Sequence, residues 1–375
     1  MISRESLTAA RRVVVKVGTS TITYPNGKLN LTRIEKLVRE LADEVHRGKE
    51  IVLVSSGAVG AGMDRLGLKE KPKTIPEKQA AAAVGQGILM QTYEKLFSEY
   101  GQIVGQVLLT REDSVHRSRY ANSRNTLLTL LGMKVIPIIN ENDAVAIDEL
   151  KIGDNDTLSA TVAAIVDADV VIILSDIDGV YTENPHLNPA AVLISEIADI
   201  TPEIEAVCGG AGSERGTGGM LTKMEAAKIA VNSGIFLVIA SGSRDGAIRD
   251  VLLGNEIGTL FVPKDTKLRF RKSWLAFGAR IRGSVSVDKG CEKALVAGRS
   301  SLLAAGIRSV DGTFAQGNTI RILNEEGREL ARGLANYSAE ETRKIMGVQT
   351  LDIANILGNK PFDEIVHRDN MVLLV

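Results

Sequence analysis

The sequence predicts a two-part α/β protein, in which a three-layer sandwich around a mostly parallel sheet precedes a small, mainly β domain. Up to residue 265, short apolar runs rich in valine and isoleucine alternate with stretches of helical periodicity. Strands that are apolar on both faces and separated by helices form a parallel sheet covered on both sides. From about residue 266, short segments of alternating polarity replace this pattern, and such segments are typical of half-buried strands.

The first part contains six expected strands with helices between them. The strands are VVVKVG (13–18), IVLVSSG (51–57), VGQVLLT (104–110), VIPIIN (135–140), VVIILSD (170–176) and IFLVIASG (235–242). The expected helices cover about 31–47, 77–99, 120–131, 158–168 and 219–233. This alternation predicts a parallel sheet with helices on both faces.

The second part contains four expected strands and two expected helices. The strands cover 283–290, 307–312, 318–323 and 329–334, and the helices cover 291–298 and 338–346. We therefore expect a first domain over 1–265, a linker over 266–280, a small β domain over 281–361 and a C-terminal tail over 362–375. Residues 266–375 carry 17 basic and 12 acidic residues, a net charge of +5, whereas residues 1–265 carry −6.

Composition excludes several classes of protein. The 375 residues are 44% apolar and 24% charged with a net charge of −1, which is ordinary for a folded globular chain. The longest apolar run, 235–240, has six residues, whereas a membrane helix needs about 20. The N-terminus lacks the apolar segment of a secretory signal, and the two cysteines form no CxxC pair. These features predict a cytoplasmic protein without a disulfide framework or a structural zinc site.

Lys16 lies in the middle of the apolar run VVVKVG. A buried lysine is costly unless an anion pairs with it. Its strand leads into Gly18 at the carboxyl end, where open α/β sheets bind ligands. The pattern favours a lysine that reaches a phosphate group. The alternative is a lysine on an edge strand whose amine reaches solvent.

The segment GTGGMLTK (216–223) predicts a phosphate-binding loop. Its glycines expose backbone amides, and Thr217, Thr222 and Lys223 add donors at the start of an expected helix, where phosphate is attracted. The segment matches neither the Walker A nor the GxGxxG pattern. A flexible surface loop would account for the glycines but not for the terminal lysine.

Polar residues crowd two segments, INENDAV (139–145) and KIGDNDTLSA (151–160), of which the second leads into a helix expected at 158. Acidic residues before a helix are common caps, but two carboxylates, Lys151 and several amides exceed what capping needs. Such a set can hold a charged amino acid, with carboxylates for its ammonium group and amides for its carboxylates. Ser56, at the end of a strand, either bonds a substrate carboxylate or caps a helix.

The remaining inventory points to phosphoryl transfer. Ser175 and Asp176 end a strand. The aspartate either binds a nucleotide or Mg²⁺, or it makes the side-chain hydrogen bonds of a turn. The four histidines are scattered, and no GxSxG motif is present, so a nucleophile and its base are missing. Phosphoryl transfer asks for positioning and charge neutralisation rather than covalent catalysis, and an acceptor that is already an anion needs no general base.

Six motifs follow one another along the first domain. They are VVVKVGTS, VSSGAVGAG, INENDAV, IGDNDTLSA, LSDIDGVYTENP and GTGGMLTK. In this order they resemble the glutamate 5-kinase family of the amino-acid kinase superfamily, and the segment from about 281 resembles a PUA domain. The resemblance covers nearly the whole chain. It implies the amino-acid kinase fold and transfer of the γ-phosphoryl group of ATP to the side-chain carboxylate of L-glutamate, the first step of proline biosynthesis.

The resemblance also implies the roles of individual residues. Lys16 and Lys223 would contact the phosphates and the moving phosphoryl group, and Asp156 would hold both lysines by hydrogen bonds. The glutamate-binding residues would be Ser56, Asp143 and Asn155. The nucleotide-binding residues would be Lys16, Ser175, Asp176, Thr217, Gly218, Gly219, Met220, Leu221, Thr222 and Lys223.

Cofactors and partners follow from the same resemblance. It implies Mg²⁺ on the ATP phosphates with unassigned protein ligands, a homo-oligomer (dimer or tetramer), feedback inhibition by proline and a glutamyl-phosphate reductase partner. A first alternative is another acceptor, because the superfamily also phosphorylates N-acetylglutamate, aspartate, carbamate, UMP and isopentenyl phosphate. A second is RNA binding by the C-terminal domain. The net charge of +5 over residues 266–375 points toward RNA, but a modest positive balance is more often a solvated face.

Overall fold

The structure is a computed structural model, and it describes most of the chain. The described residues are 4–24, 27–68, 70, 72–110, 113, 117–145, 154–185, 187–188, 190–208, 219–263, 281–297 and 300–374. They divide between two units, Met1–Lys267 and Leu268–Val375. The expected linker over 266–280 lies outside the described residues. Within the described ranges, none of the helices combines the length and apolarity that a bilayer crossing requires.

The first unit is built on one eight-stranded sheet. Its strands are β1 (Arg12–Val17), β2 (Glu50–Ser55), β3 (Ile103–Leu109), β4 (Val135–Glu141), β5 (Val170–Ser175), β6 (Glu196–Ile197), β7 (Phe236–Ser241) and β8 (Thr259–Phe261). Their order in the sheet is β3-β4-β2-β1-β5-β7-β8-β6. All neighbouring pairs are parallel except β7 with β8. The predicted mostly parallel sheet is confirmed.

The helices of this unit lie between its strands. They are α1 (Thr19–Ile22), α2 (Leu31–His46), α3 (Ala58–Leu66), α4 (Ile75–Ser98), α5 (Arg117–Gly132), α6 (Asn155–Ile165), α7 (Pro202–Cys208), α8 (Met220–Asn232) and α9 (Ala247–Leu252). A 3₁₀ helix, Arg4–Ala9, precedes β1. Local signals explain the starts of the long helices. Asn30 caps α2 by accepting from the Arg33 backbone N–H, and Thr74 and Glu77 form a capping box at α4.

The strands β6 and β8 are not among the predicted elements. They have two and three residues, which is too short for a recognisable hydrophobic period. They complete the sheet beyond β7, where β8 runs antiparallel to its neighbour. Their pairing therefore depends on tertiary packing rather than on local sequence.

The start of α6 differs from the prediction in a way that matters for the site. The sequence pattern placed the helix at 158, but it begins at Asn155, and Asp154 caps it by accepting from the Asp156 backbone N–H at 2.9 Å. An acidic first turn is stabilised by the positive end of the helix dipole. Asn155 and Asp156 therefore lie within the first turn of α6 rather than in a loop before it.

Helices α3 and α4 pack so closely that only glycine fits between them. A Cβ atom added at Gly62 would lie 1.8 Å from the carbonyl oxygen of Ala81, and one added at Gly85 would lie 1.7 Å from that of Ala58. Backbone thus meets backbone at both positions, which no larger residue permits. This contact fixes α4 against the segment that follows β2.

The second unit contains a five-stranded sheet. Its strands are β9 (Ile281–Val287), β10 (Ile307–Gly312), β11 (Thr319–Leu323), β12 (Glu329–Leu334) and β13 (Met371–Leu373), in the order β10-β9-β11-β12-β13. Its helices are α10 (Lys289–Val296), α11 (Ala339–Ile345) and α12 (Ile353–Leu357). The first four strands are those expected from the sequence, and the predicted small, mainly β domain is confirmed.

The end of the chain takes part in this second sheet. Strand β13 pairs antiparallel with β12, and Ile365, Val366 and Met371 are buried in the core of the unit. Residues beyond 361 therefore pack within the unit rather than extending from it. A three-residue strand carries no periodic signal that a sequence pattern could reveal.

Candidate active site

The polar residues of the first unit meet at the carboxyl ends of four adjacent strands, β4, β2, β1 and β5. In open α/β sheets this edge is where ligands bind. Helix α6 contributes its first turn to the same region and packs against α8. The sheet order therefore brings together segments that are far apart in the sequence.

A buried carboxylate between two lysines forms the centre of this region. Lys16 Nζ lies 2.7 Å from Asp156 Oδ1, and Lys223 Nζ lies 3.1 Å from Asp156 Oδ2. Thr222 donates its hydroxyl to the same Oδ2 at 3.1 Å. Asp156 is fully buried and each lysine is 5% exposed. These residues come from β1, α6 and α8, and all three ionisable members were predicted site residues.

The charges of this cluster involve a second carboxyl group. Two ammonium groups contact the buried carboxylate of Asp156, and the charges of both lysines also act on Asp154. Burial alone would raise the pKa of Asp156, but Lys16 and Lys223 outweigh it and lower that pKa. Burial, and then the charge of Asp156, raise the pKa of Asp154. The arrangement suits the binding of phosphate groups.

A chain of side-chain amides leads away from this cluster. Asn155 donates its Nδ2 hydrogens to Ser56 Oγ at 2.7 Å and to Asn140 Oδ1 at 3.0 Å. Asn140 in turn donates its Nδ2 to Gln86 Oε1 at 3.0 Å. Asn155 is adjacent to Asp156 in the first turn of α6. The chain therefore connects the lysine–carboxylate cluster with helix α4.

Asp143 borders a small cavity at the other end of this chain. The cavity has a volume of about 190 Å³ and is lined by Asp143, Gln86, Gln106 and Glu141 together with small apolar residues of α3 and α4. Besides its apolar surface, the cavity therefore offers carboxylates that can pair with an ammonium group. Ser56, Asn155, Asn140 and Gln86 thus form a continuous polar path, and Asp143 lies on the wall of the cavity that Gln86 also lines.

Ser175 and Asp176 end the strand next to β1. The Ser175 hydroxyl donates to Asp176 Oδ1 at 3.0 Å, and Asp176 is exposed whereas Ser175 is buried. Strand β5 pairs with β1 so that Ile173 lies opposite Lys16. An exposed carboxylate at this edge can meet a ligand that lies across the two strands.

The predicted phosphate loop is described only in part. Thr217 and Gly218, as well as Lys151 of the second polar segment, lie outside the described residues. Gly219 is the N-cap of α8 and offers no side-chain cap, and the first backbone N–H groups of any helix have no acceptor within it. Met220 and Leu221 form the first turn together with Thr222. The Thr222 backbone N–H donates to the Gly219 carbonyl at 3.2 Å, so the turn offers the backbone N–H groups of Met220 and Leu221, which have no acceptor within the helix.

Comparison with known proteins agrees with this geometry. The model of the amino acid kinase family matches residues 11–241, and that of the PUA domain matches residues 283–357. A glutamate 5-kinase of Moorella thermoacetica is 56% identical over 371 residues, which are 99% of this chain and 98% of that protein. A glutamate 5-kinase of Thermoanaerobacter is 51% identical over 97% of this chain and 98% of that protein. One of Carboxydothermus hydrogenoformans is 52% identical over 99% of this chain and 100% of that protein.

The chain belongs to the glutamate 5-kinase family. The resemblance of the six sequence motifs, the kinase class and the C-terminal PUA domain are thereby confirmed. As a kinase of this family, the chain uses ATP. The roles of individual residues in this glutamate 5-kinase fold stay predictions.

The sequence patterns missed two residues of the polar path in this kinase domain. The pattern marks Asn140 only as one of several polar residues at the end of its strand, and it does not distinguish Gln86 at all. Gln86 lies within the small-residue run AAAAVGQG, which predicts little beyond a helix. One signal could have identified Gln86: it is a polar residue on the same face of α4 as Ala82 and Leu89, which are both buried.

Proposed function

We propose that this chain transfers the γ-phosphoryl group of ATP to the side-chain carboxylate of L-glutamate and yields L-glutamyl 5-phosphate, as the first step of proline biosynthesis. The observation that carries the proposal is Asp156, which holds Lys16 and Lys223 on its two oxygens beside a polar path of amides. The identity of 46–56% to named glutamate 5-kinases over nearly the whole chain supports the substrate.

The two lysines act on the phosphate groups. Their ammonium groups neutralise charge on the transferred phosphoryl group and on the leaving ADP, which is the main catalytic requirement of phosphoryl transfer. Asp156 keeps both lysines in place by direct contact at 2.7 and 3.1 Å. It is itself held by the Thr222 hydroxyl, so the pair is positioned before ATP arrives.

The nucleotide lies along the edge formed by β5 and the start of α8. Ser175 and Asp176 supply a hydroxyl and an exposed carboxylate, which suit the polar groups of a nucleoside. The segment 217–223 supplies backbone N–H groups at a helix N-terminus, and these bind phosphate. Its members in this role are Thr217, Gly218, Gly219, Met220, Leu221, Thr222 and Lys223.

Glutamate binds along the polar path. The Ser56 hydroxyl and the Asn155 amide lie beside the lysine–carboxylate cluster, where they hold the substrate in position for transfer. Asp143 lies on the cavity wall, where its carboxylate pairs with the substrate ammonium. The reacting side-chain carboxylate is already an anion, and attack on the γ-phosphorus therefore needs no general base.

Mg²⁺ is expected to arrive with the nucleotide. Among the residues that the structure describes, no group of three or more His, Cys, Asp or Glu side chains is arranged to hold a metal ion. Mg²⁺ commonly keeps several waters and is bound through one or two carboxylates plus substrate phosphates, which fits a cation that ATP carries into the site. When bound, it neutralises charge on the phosphates.

Further proposed properties rest on the family resemblance. They are a homo-oligomeric state, inhibition by proline, transfer of the product to a glutamyl-phosphate reductase and a cytoplasmic location. The domain boundaries, 1–265 for the kinase domain and 281–361 for the PUA domain, are proposed on the same basis and on the sequence patterns. RNA binding by the C-terminal domain is an alternative, since residues 266–375 carry a net charge of +5.

The direct test is ADP release with ATP, Mg²⁺ and L-glutamate, in the presence of hydroxylamine to convert an acyl phosphate to a hydroxamate. Aspartate, N-acetylglutamate and UMP serve as rival acceptors. We expect ADP and hydroxamate to form together and only with glutamate. Turnover with a rival alone would overturn the substrate, and no turnover with any acceptor would overturn the function.

A further inference from the structure

Gln86 is a buried amide that the proposed function does not use. It lies on α4, is 8% exposed, and accepts from Asn140 Nδ2 at 3.0 Å. Its own Nε2 is buried and has no hydrogen-bond partner among the described residues. A buried donor without an acceptor lowers folding stability. Stability alone therefore does not account for a glutamine at this position.

The direction of each hydrogen bond in the polar path follows from one backbone group. The Glu141 backbone N–H can only donate, and it donates to the side-chain oxygen of Asn140 at 2.9 Å. This contact identifies Oδ1 of Asn140, so that Asn155 must present its Nδ2 to the same atom at 3.0 Å. The Nδ2 of Asn140 then needs an acceptor, and Gln86 Oε1 is that acceptor.

The consequence appears at the substrate end of the path. Asn155 uses its Nδ2 for both Asn140 and Ser56, so its Oδ1 is left without a hydrogen-bond partner in the part of the chain that the structure describes. Ser56 Oγ accepts from Asn155, which leaves its hydroxyl hydrogen able to donate. The site therefore presents the Asn155 Oδ1 as an acceptor and the Ser56 hydroxyl as a donor.

The position of Gln86 is fixed by the helix that carries it. The preceding residue, Gly85, contacts the backbone of Ala58 so closely that a Cβ would lie 1.7 Å from the Ala58 carbonyl oxygen. Ala58 follows Ser56 by two residues. Gln86 and Ser56 are thus held at a set separation by a backbone contact that leaves no room for sliding.

We propose that Gln86 is a positioning residue for L-glutamate. By accepting from Asn140, Gln86 reinforces the amide orientation that the Glu141 backbone N–H sets at Asn140, and this orientation in turn directs the Asn155 oxygen and the Ser56 hydroxyl toward the substrate. This inference rests on the proposed function and adds to it a residue that does not touch the reacting atoms. Without the acceptor at Gln86, only the Glu141 backbone N–H orients the Asn140 amide, and its buried Nδ2 has lost its acceptor. The amides of Asn140 and Asn155 are then less firmly held and present the wrong atoms to glutamate more often.

The test compares Gln86→Leu, which removes the acceptor, with Gln86→Glu, which keeps an oxygen facing Asn140. Gln91→Leu makes the same chemical change at an exposed position of the same helix and serves as control. The KM for L-glutamate and for ATP, kcat and Tm are measured by the hydroxamate assay and thermal unfolding. We expect Gln86→Leu to raise the KM for glutamate about tenfold or more, as one lost buried hydrogen bond predicts, with the KM for ATP within about twofold.

The other expected results separate positioning from folding. Gln86→Glu should recover most of the affinity for glutamate, and Gln91→Leu should match the unsubstituted chain. An unchanged glutamate KM in Gln86→Leu, or equal rises in both KM values together with a lower Tm, would overturn the inference. Should Gln86→Leu fail to fold, Gln86→Met repeats the measurement, and its failure to fold would assign Gln86 to stability instead. An unsubstituted chain that cannot use glutamate would overturn the proposed function itself.

Discussion

Lys16 Nζ lies 2.7 Å from Oδ1 of Asp156, a carboxylate with no exposed surface. Lys16 is on β1, a central strand of the eight-stranded sheet, and Asp156 is in the first turn of α6. Neither charge would be tolerated at this depth without the other. Because Lys223 takes the second oxygen of the same carboxylate, one residue positions both of the cations proposed to meet ATP.

The first prediction concerns the loss of this carboxylate. Asp156→Asn leaves two buried ammonium groups without their counter-ion, which should lower the free energy of unfolding by about 3 kcal/mol. Urea unfolding of the ligand-free protein measures this loss. ATP should stabilise the variant more than the unsubstituted chain, because its phosphates replace the missing anion. Equal stability of the two ligand-free proteins would show that Asp156 does not neutralise the lysines.

The second prediction concerns the cation on α8. Lys223→Ala should lower kcat by about 10²–10³-fold, the usual effect of removing one preorganised electrostatic contact. The control is Lys228→Ala, which removes a partly exposed lysine of the same helix that pairs with Glu205 at 2.8 Å. Its kcat should stay within about twofold. Near-normal turnover in folded Lys223→Ala would remove this lysine from the mechanism.

The third prediction concerns the substrate ammonium group. Asp143→Asn should raise the KM for L-glutamate about tenfold or more, because a charge-assisted hydrogen bond is lost, with little effect on the KM for ATP. Asp43→Asn makes the same change at an exposed position on α2 and should leave both values unchanged. A glutamate KM that Asp143→Asn does not alter would place the substrate elsewhere.

The fourth prediction concerns the pH dependence of stability. Burial, and then the neighbouring Asp156, raise the pKa of Asp154. Between its unfolded pKa of 3.8 and the higher folded value, the native state holds a proton that the unfolded state has released. Stability therefore falls as pH rises through this window.

Asp154→Asn removes this penalty and keeps a residue that caps α6. We expect a higher Tm than that of the unsubstituted chain at about pH 7, and no difference at about pH 3, where the carboxyl group is protonated in both states. Thermal unfolding across this range without ATP is the measurement. A difference in Tm that is the same at both pH values would contradict the raised pKa.

Hydrophobic periodicity was sufficient to predict most of the fold. The strands β1 to β5 and β7 fall within a few residues of their predicted positions, because each is a continuous apolar run that only a sheet covered on both faces can bury. Lys16 was recognisable for the same reason, as a charge inside such a run. The pattern predicts the start of α6 three residues too late, because the polar residues 154–157 lack the apolar spacing that marks the rest of the helix.

The sequence by itself determined the class of fold, the kinase family and the residue types at the ends of the strands, since these depend on local pattern and on motifs in order. Only the tertiary structure decided which of those residues meet. The strand order β4-β2-β1-β5 brings Asn140, Ser56, Lys16 and Ser175 to one edge, and the close contact of α3 with α4 adds Gln86. Long-range pairing of this kind depends on how strands and helices pack, and no local stretch of sequence encodes it.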